Sequence, residues 1–163
     1  MKTFFARACC LTLFIILRVA AISAPEPTLI PKQLNAYIGG FDGLSYKVEL
    51  RDGVLSYTVF TSLLSNPKAT ATMMPTATQW HEFRQILDDL KIWQWRDDYP
   101  NKTVRDGTQW SLEITYADKA LKTKGDNNYP DDVGKPNGKP ERTETFNRYL
   151  LGVKKLLGGK NFE

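Results

Sequence analysis

Cysteine is all but missing from this 163-residue chain: Cys9 and Cys10 are the only two. From Leu11 onward the chain can form no disulfide, thiol nucleophile or cysteine-ligated metal site. Many small exported domains rely on disulfides because their cores are thin, so this one has to hold together by packing. Histidine is as scarce, with His81 alone, which excludes a zinc site of the usual His/Cys composition. A Ser-His-Asp triad would need His81 in a cleft. The helical spacing around it puts it opposite the apolar stripe, on the solvated side. Long apolar runs are lacking as well. Residues 8–17 make a run of only ten, whereas a bilayer crossing needs about 20. No glycine-rich phosphate loop occurs, so no cofactor is expected.

What is present begins with an export signal. Lys2 and Arg7 precede the apolar run, Arg18 interrupts it, and Val19 to Ala24 brings small residues up to Pro25. A basic start, a short apolar middle and a small-residue end are the parts of a secretory signal. An uncleaved anchor would carry Arg18 near the middle of the span, which is costly. Cleavage after Ser23 is expected: Ala21 and Ser23 occupy the positions the peptidase reads, and Pro25 disfavours a cut one residue later. Cys9 precedes the apolar run instead of ending it, so lipidation is not expected. The expected product, residues 24–163, is exported, periplasmic or secreted, cysteine-free and without stable membrane insertion. Losing Lys2, Arg7 and Arg18 takes 22 basic residues to 19 against 18 acidic ones, a net charge of +1. That balance gives no long-range pull toward nucleic acid or anionic membrane.

Residues 24–36 carry three prolines and read as an extended lead-in. The domain is expected over residues 37–159, with a short tail at 160–163. Tyr46, Val48 and Leu50 alternate with polar residues, as do Leu55, Tyr57 and Val59, and Asp52-Gly53 between them is a two-residue hairpin turn. That turn predicts Leu50 opposite Leu55, Val48 opposite Tyr57 and Tyr46 opposite Val59, all on one face. Residues 69–74 offer a third strand. Thr76 and Gln79 fit a capping box, opening a helix whose stripe is Trp80, Phe83, Ile86, Leu87 and Leu90. A polar segment follows over residues 96–107. Trp110, Leu112, Ile114 and Tyr116 then alternate as a strand with a turn near Asp118, and residues 125–140 read as a long polar loop. A last helix carries Phe146, Tyr149, Leu150, Val153, Leu156 and Leu157 and stops at Gly158-Gly159.

The expected fold class is α+β: an antiparallel sheet in two ββα units with two amphipathic helices on one face. Internal duplication fits the constant offset of 64 between Tyr46, Val48, Leu50 and Trp110, Leu112, Ile114, and of 66 between the helices. Burial imposes a similar pattern on any two such units. The runs GGFDGLSY, WHEFRQILDDL, WQWRDDYPN, DGTQWSLE and GDNNYP resemble a group of small exported bacterial proteins of unknown function. The likeness covers residues 37–159. It implies a bacterial envelope or secreted protein and brings no activity, cofactor or catalytic residue with it.

Candidate chemistry is thin. The acid pairs Asp88-Asp89, Asp97-Asp98 and Asp131-Asp132 could serve a hydrolase in which one acid is protonated and the other ionised. Adjacent acids in polar segments are more often simply solvated. Asp126 and Asn128 are spaced as in an EF-hand, but Pro130 takes the third ligand position and Asp131 the place of its glycine. Aromatics are the remaining clue. Trp93 is expected to finish the helix stripe in the core, while the other rings either cap the sheet or form a recognition surface. On the second reading the first helix's exit meets the GDNNYP loop, and Trp95, Asp97, Asp98, Tyr99, Asp126, Asn127, Asn128 and Tyr129 form a binding site. The leading expectation is a non-catalytic module that docks an envelope protein or a glycan. The alternative is a carboxylate-dependent hydrolase acting on envelope polymers.

Overall fold

The computed structural model describes residues 29–40, 42–62, 65–101, 103–104 and 106–163. The signal segment at residues 1–23, its expected cut before Ala24, and residues 24–28 of the lead-in lie outside the described residues. The described residues form an α+β fold with seven strands and two α-helices: β1 (Gln33–Gly40), β2 (Asp42–Arg51), β3 (Val54–Ser62), β4 (Pro67–Met73), α1 (Ala77–Asp89), β5 (Asp98–Tyr99), β6 (Thr108–Thr115), β7 (Ala120–Asp126) and α2 (Glu144–Leu156). The strands form one sheet in the order β4-β3-β2-β1-β6-β7-β5. All neighbours are antiparallel except β5, which runs parallel to β7.

The Asp52-Gly53 turn holds both residues in the left-handed region, φ 50° and 78°, as a two-residue turn of the primed type requires. It sets the predicted register of β2 on β3: Leu50 pairs with Leu55, Val48 with Tyr57 and Tyr46 with Val59. The Thr76 hydroxyl accepts from the Gln79 amide at 3.2 Å and the Gln79 side chain accepts from the Thr76 amide at 2.9 Å, so the capping box starts α1 as its spacing predicts. All six stripe residues of α2 are buried, and left-handed Gly158 and Gly159 end that helix.

The central strand of the sheet, β1, starts inside the segment read as lead-in. Leu34, Ala36 and Ile38 alternate with Asn35 and Tyr37, and the three apolar side chains are buried. The nearby prolines and the Gly39-Gly40 end hid a pattern that is otherwise a plain half-buried strand. The tail is not loose either, since Phe162 is buried beside Tyr46. Trp93 does not finish the core stripe as expected, and Trp95 takes that place. Lys91 takes a left-handed conformation after α1 (φ 51°) and a 3-10 turn over Ile92–Gln94 rotates the chain. Trp95 thereby enters the core, and Trp93 stays half-buried at its border.

Alternation divides the sheet into two unlike faces. Leu34, Ile38, Val48, Leu55, Leu112 and Ile114 are among the core-side residues, packed in one cluster with the stripes of α1 and α2. The other face is polar and runs in rows across the strands. One row passes through Thr72, Ser56, Glu49, Asn35, Glu113 and Lys122. The next passes through Thr70, Thr58, Lys47, Tyr37, Ser111, Lys124 and Asp98.

Candidate functional site

The two segments expected to form a site do meet. The Asn128 side chain donates to the Pro100 carbonyl at 2.9 Å, the Asn101 side chain donates to the Asn127 carbonyl at 2.9 Å, and the Tyr99 hydroxyl donates to the Gly134 carbonyl at 2.7 Å. The rings in these segments, however, face inward. Trp95, Tyr99 and Tyr129 are buried, as are Asn127 and Asn128. Loops seldom bury backbone because its polar groups need partners; here the asparagines supply them. Asn127 is left-handed (φ 46°), and its side-chain oxygen accepts from the Thr108 amide at 2.8 Å. The Asn128 oxygen accepts from the Gly138 amide at 3.0 Å. A long polar loop thus folds onto the core as an ordered cover.

The same clasp joins the DGTQW and GDNNYP segments through close glycine contacts. A Cβ on Gly107 would fall 1.8 Å from the Asn127 side-chain oxygen, and one on Gly125 would fall 2.3 Å from Trp110 Nε1. DGTQW and GDNNYP are therefore two halves of one joint, closed by Trp110 Nε1 donating to the Asn128 carbonyl at 3.0 Å. Gly39 plays the same part toward Ser45, whose Oγ would lie 2.1 Å from an added Cβ.

Among the site residues read from the sequence, Asp97, Asp98 and Asp126 reach the surface, and they do so at the open sheet face. Asp97 borders a groove of about 520 Å³ with Asn35, Ser111, Glu113, Lys122 and Lys124. Asp98 and Asp126 border a second of about 350 Å³ with Tyr37, Gln109, Ser111 and Lys124. Ser111 and Lys124 belong to both. Charges on this face largely neutralise one another: Glu49 pairs with Lys47 at 3.1 Å and with Arg51 at 3.0 Å, and Glu113 with Lys122 at 3.6 Å. The surface that remains is rich in hydroxyls and amides, with the ring of Tyr37 among them. Sequence reasoning missed Asn35, Tyr37, Gln109, Ser111 and Lys124 because each is an ordinary polar residue of an alternating strand. Only the strand order makes them neighbours.

A second polar cluster has another character. Arg84 on α1 is only 8% exposed. Its guanidinium donates to both oxygens of Asp118, at 3.0 and 2.8 Å, and to Asp88 at 2.8 Å, and lies against the rings of Trp93 and Tyr116. Asp88 also accepts from Lys119 at 3.0 Å and from the Trp93 indole. Asp88 is thus no idle surface acid. The members of this knot are occupied with one another, which marks it as a joint between α1 and the β6–β7 turn.

Burial opposes ionisation of Asp88, but hydrogen bonds from Trp93, Arg84 and Lys119 outweigh it and hold its carboxyl below the usual range. The Arg84 hydrogen bond likewise lowers the Asp118 carboxyl, against a smaller opposing effect of burial. The folded protein therefore releases these protons more readily than the unfolded chain, whose aspartates titrate near about 4. Their stabilisation is fully present above that value and is lost as pH falls through the lower folded values. Arg84→Met is expected to lose roughly 1–3 kcal/mol at neutral pH, discounted from a fully buried pair because both acids are partly exposed. Its melting temperature should also fall less steeply than wild type below about pH 4. Parallel melting curves for the two proteins across the acid range would show that the knot does not set the acid sensitivity.

Among the described residues, no group of three or more His, Cys, Asp or Glu side chains comes together in a way that could hold a metal ion. No described helix is long and apolar enough to cross a membrane. No protein-family model matches the chain, and neither does any curated protein.

Proposed function

We propose that this is an exported, non-catalytic binding module of the bacterial envelope or extracellular space, and that its ligand is a glycan held on the open face of the sheet. One observation carries the reading: among the described residues one face packs into a core, while the other is polar and grooved around Ser111 and Lys124. Hydroxyls and amides in rows, a tyrosine ring and self-neutralised charges suit a ligand that offers hydroxyls and little net charge. A polyanion would call for a basic stripe instead. Pockets of this kind orient ligands with a few placed polar groups. Asp97, Asp98 and Asp126 contribute acceptors along one rim. The buried members of the sequence-derived site, Trp95, Tyr99, Asn127, Asn128 and Tyr129, hold that rim in place from beneath.

With both helices on the apolar face, no described helix competes with ligand for the polar one. The sheet order also supports a pseudo-symmetric reading, with the β2–β3 and β6–β7 hairpins flanking β1 and a helix following each in the chain.

The test is an NMR titration of the purified protein with soluble fragments of envelope glycan. Amides of Ser111, Glu113 and Lys124 should shift first. Ser111→Arg, which fills both grooves without touching the core, should weaken binding roughly tenfold or more at an unchanged melting temperature. Shifts confined to α1 and α2, or full binding by Ser111→Arg, would refute the assignment.

A further inference from the structure

We propose that the outer edge of β4 is a self-association surface, on which a second copy of this chain adds its own β4 antiparallel and continues the sheet. The direction of each backbone group follows from the hairpin. Arg51 and Val54 flank a two-residue turn, so they form the hydrogen-bonded pair that closes it, and the groups of Val54, Ser56 and Thr58 point toward β2. Those of Leu55, Tyr57 and Val59 then point toward β4, where they pair with Met73, Ala71 and Ala69. The N–H and C=O groups of Thr70 and Thr72 consequently point away from the sheet, within the stretch where the register is regular. Among the described residues no backbone hydrogen bond is made to them across this edge.

Proteins normally blunt such edges with very short strands, charges, proline or bulges. The opposite edge is treated this way, since β5 has two residues and runs into Pro100. In β4 the devices, Pro67, Lys68 and a register shift opposite Val59–Phe60, all lie at its start, and Ala69–Met73 continues in regular register without charge. The strand is also self-complementary. Antiparallel pairing centred on Thr70 sets Thr70 against Thr70 and Lys68 against Thr72 of the second copy, so like charges never face each other. Threonines meet on the polar face, where cross-strand hydroxyl pairs are favourable, and Ala69 and Ala71 leave room on the other. Met74, 78% exposed just past the strand, would lie beside the start of the second copy's β4. Such a dimer would carry two open faces on one continuous sheet, though its existence does not depend on the glycan reading.

Sedimentation of the purified protein over a range of concentrations should show a monomer–dimer equilibrium. Thr70→Pro removes an outward N–H and no β3–β4 bond, a position where an edge strand accepts proline. It should weaken the dimer roughly tenfold and leave the melting temperature in place. Thr72→Lys should weaken it and Thr72→Glu strengthen it, because residue 72 faces Lys68 of the other copy. This pair also decides the matter if Thr70→Pro fails to fold. A monomer at every concentration overturns the proposal. So does a dimer indifferent to all three substitutions, or a β4 edge that takes up an unrelated extended peptide while the protein stays monomeric.

Discussion

Trp110→Ala should lose roughly 3–5 kcal/mol of stability, the range for deleting a large buried ring. Trp110 projects from β6 into the densest aromatic region of the core, with ring centroids of Phe146 at 4.8 Å, Tyr99 at 5.6 Å, Trp95 at 6.2 Å and Tyr129 at 6.5 Å. Truncation leaves a cavity among four rigid rings that cannot easily collapse, and it strips the Asn128 carbonyl of its indole donor. Two costs therefore add: lost packing and an orphaned acceptor. Trp110→Phe keeps a six-membered ring but loses the donor and part of the indole volume, so its loss should be smaller than that of the alanine variant. Urea unfolding with an unchanged denaturant slope is the measurement. A loss below about 1 kcal/mol for the alanine variant would mean that the cluster is looser than its geometry indicates.

Gly125→Ala should be nearly as damaging, at about 3 kcal/mol, the upper end for overpacking a core. The added methyl carbon would stand 2.3 Å from Trp110 Nε1, 2.4 Å from Trp110 Cε2 and 2.7 Å from the Asn128 carbonyl oxygen. One of those neighbours is backbone and the other a wedged indole, so neither can move away cheaply. Gly125 does not need a left-handed conformation, so the cost comes from space alone. That makes a specific coupling testable. In the Gly125→Ala, Trp110→Ala double variant the methyl enters the vacated volume, so the total loss should be clearly less than the sum of the single losses. Strict additivity would show that the glycine is kept for some reason other than the indole.

The elements that could be read in advance are those whose information is local. Asp52-Gly53 sets turn handedness, and the turn sets register, so three cross-strand pairs follow from two residues. Thr76 and Gln79 set where α1 begins by satisfying each other's amides. The stripe of α2 follows from helical spacing alone. Trp93 and Trp95 could not be sorted in this way. Which ring enters the core depends on the left-handed turn at Lys91, a conformation that lysine does not advertise. The loop aromatics stand out in the sequence because large rings in polar connections are seldom idle, but their burial depends on distant partners. Tyr99 is held by the Gly134 carbonyl and Tyr129 by the ring of Phe146.

The sequence by itself thus determined the α+β class, one hairpin with its register, both helices and the stripes they turn to the core, with Ile86 of α1 only partly buried, because propensity, capping and periodicity act over a few residues. Tertiary structure decided the rest. It inserted β1 between the two hairpins as the central strand, turned Asn127 and Asn128 into the clasp of a covered loop, and aligned Tyr37, Ser111, Lys124 and Asp98 in one row of an open face. The physical reason is the geometry of a sheet. Alternation along a strand tells which face a residue occupies, but its neighbours on that face come from other strands, and the strand order is settled only when the whole core packs.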